Sequence, residues 1–441
     1  MAGFSFLLLA VPGAALAWDD HSLMARPALA KVAQVANAPY AEVEPIERFL
    51  AAEEQGLVTL LSEEEAWAAA HVPTWPALPP ALAFQAGGDA ATLRTRFLEA
   101  LRMAPDARLA LYVKAPPGAA ELPDGSLPWA EVTTLHNPGA LGHALLLPLA
   151  EGERIAPLEV LVSACDEPDF GLDLGLWEDN ASAWGPRYGL GAQPFGDPVK
   201  EYGSQAPMHM GLYHEASIVY LAAASLQRTY PEVRVHQLQT LARFAFGTGH
   251  DYWGWRFTGW ALHYVQDLTM PYHARVLPGV SVPSMLWVAA LDMIGFHDPY
   301  DDALRLVSNR HMVVEHYVRE VLESGDAEAA GPLRAALADT RGDLAVRPWD
   351  DRSLREVIGA AAVAQSDGLD AALTAWFPAQ LVSDPDYVVD ETEPDINVHE
   401  RLLAADPAVG AALEPAFTPL LAAFGAASRS FLLSVRPEDD R

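Results

Sequence analysis

The stretch WALHYVQDLTMPYHARVLPG, Trp260 to Gly279, concentrates side chains that bind divalent metals. His263 and Asp267 are four residues apart, which places them on one face of a helix. Pro271 ends or kinks that helix, and His273, two residues on, can fold back beside the pair. Imidazole and carboxylate at this spacing are good zinc ligands. The competing reading is a surface His–Asp pair with a second histidine in the following turn.

A second pair favours the metal. In SNRHMVVEHYV, His311 and Glu315 again sit four apart on a predicted helix. Val307, Val314, Val318 and Leu322 share or flank that face, so the pair is expected to point inward, while His316 and Arg319 fit a solvated face. A buried ionisable pair is costly, and a bound metal is one way to offset the cost. Upstream, SACDEPDFGLD carries Asp166, Glu167, Asp169 and Asp173, and SQAPMHMGLYHEAS carries His209 and His214. The carboxylates suit a solvated acidic loop or a calcium site, although their spacing is not that of an EF-hand. Cys165 beside Asp166 is read as packing.

The elements that must position these residues are mostly amphipathic helices. Apolar residues recur at three- and four-residue intervals in MARPALAKVAQVA, EASIVYLAAASLQ, HQLQTLARFAFGTG, DALRLVSNRHMVVEHYVREVL and EPAFTPLLAAFGAASRSFLLSV. Extended signals are few: ARLALYVKA, HALLLPLA and LEVLVSA. The tryptophans of HDYWGWRFTGW read as core on the approach to the HxxxD helix, with base stacking as the alternative use. Proline and glycine mark loops at 72–80, 116–128, 185–198 and 277–283. The expectation is a mostly α, multi-helix fold with a mixed insert at about 41–150.

The chain has 441 residues and a formal net charge of -31, which disfavours a general nucleic-acid-binding surface. Residues 1–17 lack charged side chains and end in Ala15-Leu16-Ala17, the form of a secretory leader with cleavage before Trp18. Export to the periplasm or the extracellular space is expected. The single Cys165 excludes an internal disulfide. No later run reads as a membrane span.

These motifs resemble the zinc-dependent phospholipase C / P1-S1 nuclease superfamily. LHYVQDLTMPYHA is similar to the bacterial phospholipase motif HYxGDxxxPxHA. The resemblance implies a secreted helical protein holding three zinc ions, with a mature chain that starts at Trp18 and ligates through its free amino group. It assigns Asp166, His209, His263 and Asp267 to one zinc, with His214 as the alternative to His209. It assigns Asp267, Trp18 and His21 to a second, and His273, His311 and Glu315 to the third. This chain departs from the pattern in four places. The step from Trp18 to His21 is short, the span to Asp166 is enlarged by the insert, Gln266 replaces the usual glycine, and the span from His273 to His311 is long.

The reaction so implied is hydrolysis of a phosphodiester by water that zinc activates, with Asp166 as general base. Ala274 after His273, the negative charge and the apolar stretch Val280–Phe296 lean towards phospholipid, giving diacylglycerol and a phosphorylated head group. That stretch reads as a peripheral membrane contact, an acyl-chain wall or an extra core helix. The alternatives are a P1/S1-like single-strand nuclease or 3′-nucleotidase, and a non-enzymatic binding protein whose metals are structural.

Overall fold

The computed structural model describes residues 18, 20–119, 125–346, 348–389, 392–393 and 396–436. The expected leader, 1–17, lies outside them. The fold is mostly helical, with 61% helix and 2% strand.

At its centre is the helix Asp251–Asp267, in which every residue from Tyr252 to Asp267 is buried. The helices Pro231–Gly247, Pro157–Ala164 and Val409–Val435 pack around it. Two glycines permit this close wrapping. A Cβ on Gly259 would sit 2.5 Å from Ala164 Cβ and 2.6 Å from Leu161 O; one on Gly254 would meet the Phe246 ring at 2.5 Å. Trp253, Trp255 and Trp260 are core residues, and the Trp253 indole donates to Glu44 O at 3.0 Å. The helix stops after Asp267, and Pro271 opens the short helix Pro271–Ala274, which carries His273.

LEVLVSA is a helix rather than a strand. Pro157 occupies its first turn, where the missing N–H costs nothing. Its residues Val160 to Ala164 are all buried, so no polar alternation was required of it. The other two extended signals do pair: Tyr112–Lys114 runs antiparallel to Leu146–Pro148. A second ladder, Ala41–Glu42 with Arg154–Ile155, ties together the two ends of the insert stretch. Within that stretch the 26-residue helix Ile46–His71 sends Phe49, Leu50 and Leu57 into the same core as Trp253 and Phe257.

A second apolar core joins Trp18 and Met24 to the helices Asp298–Glu323, Ala327–Leu337, Ala360–Trp376 and Val409–Val435. Val409–Val435 has the length and composition of a membrane span, which the sequence reading does not anticipate. It is used here as a core helix. Phe417, Leu420, Leu421, Phe424 and Phe431 are buried, and Arg429 within it pairs with Asp343 at 2.8 Å and donates to Leu337 O. The helix Val282–Met293 is different: only Met285 is buried, and Trp287 is 65% exposed. Met293, Ile294 and Phe296 are exposed beside it, as are Ile218 and Leu221 on the adjoining helix Ser217–Ala222.

Candidate metal centre

The end of the central helix supplies His263 and Asp267, both fully buried. His209, the last residue of the helix Glu201–His209, enters from one side, and Asp169 enters from the 3₁₀ turn Glu167–Phe170. His209 Nδ1 lies 3.0 Å from Asp267 Oδ2, 3.0 Å from His263 Nε2 and 3.7 Å from Asp169 Oδ1. His263 Nε2 lies 3.4 Å from Asp267 Oδ2 and 3.5 Å from Asp169 Oδ1. Zinc bonds of about 2.0–2.1 Å put tetrahedral ligand atoms about 3.3 Å apart. Five ligand–ligand separations therefore have the size of the edges of one zinc tetrahedron.

The other carboxylate oxygen of Asp267 faces a second histidine: His21 Nε2 is 3.3 Å from Asp267 Oδ1. The third group is His273, His311 and Glu315, with His311 Nε2 2.6 Å from Glu315 Oε1 and the Tyr272 ring stacked on His311. His273 Nε2 has no hydrogen-bond partner among the described residues. Such a buried, unused lone pair beside a second imidazole and a carboxylate suits a cation.

Each histidine around Asp267 is held from behind. His263 Nδ1–H donates to Cys165 O at 2.8 Å, and His273 Nδ1–H to His209 O at 3.1 Å. His21 Nδ1–H donates to Gln266 Oε1 at 2.8 Å. His209 is reversed: its Nε2 faces Asp173 Oδ2 at 3.2 Å, and Asp173 is itself gripped by Arg234 at 2.6 Å and Tyr264 OH at 2.7 Å. In every case one ring nitrogen is tied to an acceptor and the other is aimed at the cluster, the arrangement that orients metal-binding imidazoles.

The electrostatics follow from this crowding. Burial pushes Asp169 up to about 7 against the pull of His209, and the neighbouring Asp267 carboxylate adds to the rise. Burial would lower His209, but bonds with Asp173 and Asp267 outweigh it and hold the imidazole up at about 10. Burial holds His273 at about 4 and keeps His263 and His311 well below the usual range. Asp267 stays well below the carboxylate range despite its burial, because His263, His209 and His21 surround it. A cation would stabilise the carboxylates that here depend on imidazoles for compensation.

Two expected assignments, those of Asp166 and His316, look different in the structure. Asp166 is not at the cluster: it accepts from Ser22 N–H at 2.8 Å and from Lys114 Nζ at 2.9 Å, and Lys114 also binds Asp20 at 2.7 Å. Asp169, one turn later, presents its carboxylate there instead. His214 is exposed and lies against Arg355 O, so His209 is the histidine that reaches the site. His316, expected on a solvated face, is buried. Trp18 lies beside the centre: its indole donates to Gln266 O at 3.2 Å and to Thr269 Oγ1 at 3.3 Å, with its ring edge-on to Phe424. Cys165 is buried with its thiol on Leu161 O, a packing role.

Next to His311 an apolar pocket opens, walled by Phe195, Met210, Leu212, Leu226, Val276 and Val307. The same apolar cluster continues to Met285, the one buried contact of the exposed helix. Comparison with protein-family models, with curated proteins and with solved structures finds no match for this chain.

Proposed function

We propose that this protein is an exported zinc-dependent phosphodiesterase of the phospholipase C / P1-S1 nuclease type, acting on phospholipids. The observation that carries the reading is the convergence of Asp169, His209, His263 and Asp267 at tetrahedral spacing, with His21 on the far oxygen of Asp267. In this reading those five residues hold two zinc ions, and Asp267 serves both. His273, His311 and Glu315 hold a third. The amino group of Trp18, freed by removal of 1–17, completes the site beside His21. Bound zinc would polarise a phosphodiester and lower the pKa of water at neutral pH. Asp169 takes the role first expected of Asp166, receiving a proton from the attacking water. Lys114 keeps Asp166 engaged elsewhere.

The apolar pocket beside His311 supports a lipid over a polyanionic strand, because a site that ends in Val, Leu and Met side chains suits acyl chains. The exposed Val282–Met293 helix supports contact with a bilayer surface. The testing experiment uses zinc-loaded mature protein on phosphatidylcholine vesicles, single-stranded DNA and a soluble chromogenic phosphodiester, side by side with metal analysis. About three zinc ions per chain and cleavage of the lipid are expected. Cleavage of DNA alone would move the reading to the nuclease branch. Bound zinc with no turnover would make the metals structural, and protein without zinc after supplementation would end the proposal.

A further inference from the structure

We propose that Gln266 is a positioning residue that docks the start of the mature chain onto the metal centre; this rests on the zinc reading above. Gln266 is fully buried, immediately before Asp267 on the central helix. Its side-chain Oε1 accepts the Nδ1–H of His21 at 2.8 Å, which leaves His21 Nε2 as the nitrogen facing Asp267 Oδ1. Its Nε2 donates to Ser428 Oγ at 3.1 Å, and Ser428 in turn donates to Phe424 O at 2.8 Å. The amide is thus held at its nitrogen by the final helix and at its oxygen by His21, and cannot turn its oxygen away without losing two bonds. Its backbone carbonyl accepts the Trp18 indole N–H. One residue therefore grips both Trp18 and His21, the two candidate ligands that precede the insert.

The residue type matters. An apolar side chain would leave the buried Nδ1–H of His21 unpaired, and the ring would lose both its tilt and its tautomer. A carboxylate would supply the acceptor while adding a further negative charge next to Asp267. Glutamine gives a neutral acceptor and a donor for Ser428 in one planar group.

The test is zinc titration of the mature full-length protein against a competing chelator. Gln266→Leu is expected to weaken one zinc about 10–100-fold and leave the others unchanged. His21→Ala should weaken the same ion, and the double variant should lose little more, because the two side chains act as one unit. Gln266→Glu, which retains an acceptor for Nδ1–H, should retain that ion. A folded Gln266→Leu protein with unchanged zinc affinities, or losses that simply add, would overturn the proposal. If the Leu variant does not fold, a crystal structure of the zinc-loaded wild type decides: His21 bound through Nε2 with Nδ1–H on Gln266 supports it, and His21 bound through Nδ1 overturns it. Wild type that binds zinc elsewhere but not at His21 defeats this inference alone. Wild type that binds no zinc defeats the metal reading as well.

Discussion

Two helices flank His273, and their burial runs opposite to their composition. Asp251–Asp267 carries three tryptophans, an arginine, a histidine and two aspartates, yet it is buried from Tyr252 onward. Val282–Met293 is the more apolar of the two and buries only Met285. Composition alone would have reversed them. What separates them is how many neighbours each is shaped to receive. The central helix has glycines where other helices cross it, and several of its buried polar groups are paired: Arg256 and Trp260 both bind Glu167, and Thr258 donates to Gly254 O. The outer helix packs mainly against Asp298–Glu323 and Ser217–Ala222 and leaves Trp287 in solvent. The first holds candidate metal ligands in place; the second presents an apolar face.

The largest effect should come from Asp267→Asn. One carboxylate faces His21 through Oδ1 and His209 and His263 through Oδ2, so its loss touches two ions at once. Phosphodiesterase activity should vanish and at least one zinc should be lost by metal analysis. Unchanged zinc content would show that the carboxylate does not bridge.

The contrast between the helices is then open to direct measurement with one residue type. Trp253→Ala removes a fully buried indole and its bond to Glu44 O, and should cost about 3–5 kcal/mol in urea unfolding. Trp287→Ala should stay within about 0.5 kcal/mol of wild type, since its side chain is largely in water. Equal losses would mean that the outer helix is covered in solution. A loss between these two is expected for Gly259→Ala, about 1–3 kcal/mol, because the new methyl meets the Leu161 carbonyl and the Ala164 side chain rather than a movable group.

The local parts of this site were legible in the sequence, and the long-range parts were not. His263, Asp267 and His273 follow from helical spacing and a proline, and His311 and Glu315 from an inward apolar face. The choice between Asp166 and Asp169 did not. In a 3₁₀ turn residues three apart lie one above the other, so both carboxylates suit the same face. Lys114, 52 residues upstream and on a strand of the insert, decides between them by claiming Asp166. Likewise LEVLVSA has strand-like branched residues, but its place beneath Gly259 calls for a helix. Gln266 stood out as a departure from the glycine of the motif this stretch resembles, and only the folded chain shows what its amide holds.

The smallest effect expected on the folded protein tests the outer helix. Trp287→Glu with Phe296→Glu places two carboxylates on a face that carries neither lysine nor arginine between Arg275 and Arg305. Both positions are mostly in water, so the melting temperature should hardly move. If the face enters a bilayer, the substitutions forfeit apolar burial worth about 1.5–3 kcal/mol per aromatic ring when complete. Partial immersion then gives about a tenfold loss on phosphatidylcholine vesicles, since about 1.4 kcal/mol is a factor of ten. The soluble chromogenic phosphodiester should be cleaved at the wild-type rate, because neither residue lines the pocket beside His311. Equal loss on both substrates would place the helix in the folding of the site rather than at a lipid surface. No loss on either would show that the exposed face does not engage the lipid surface.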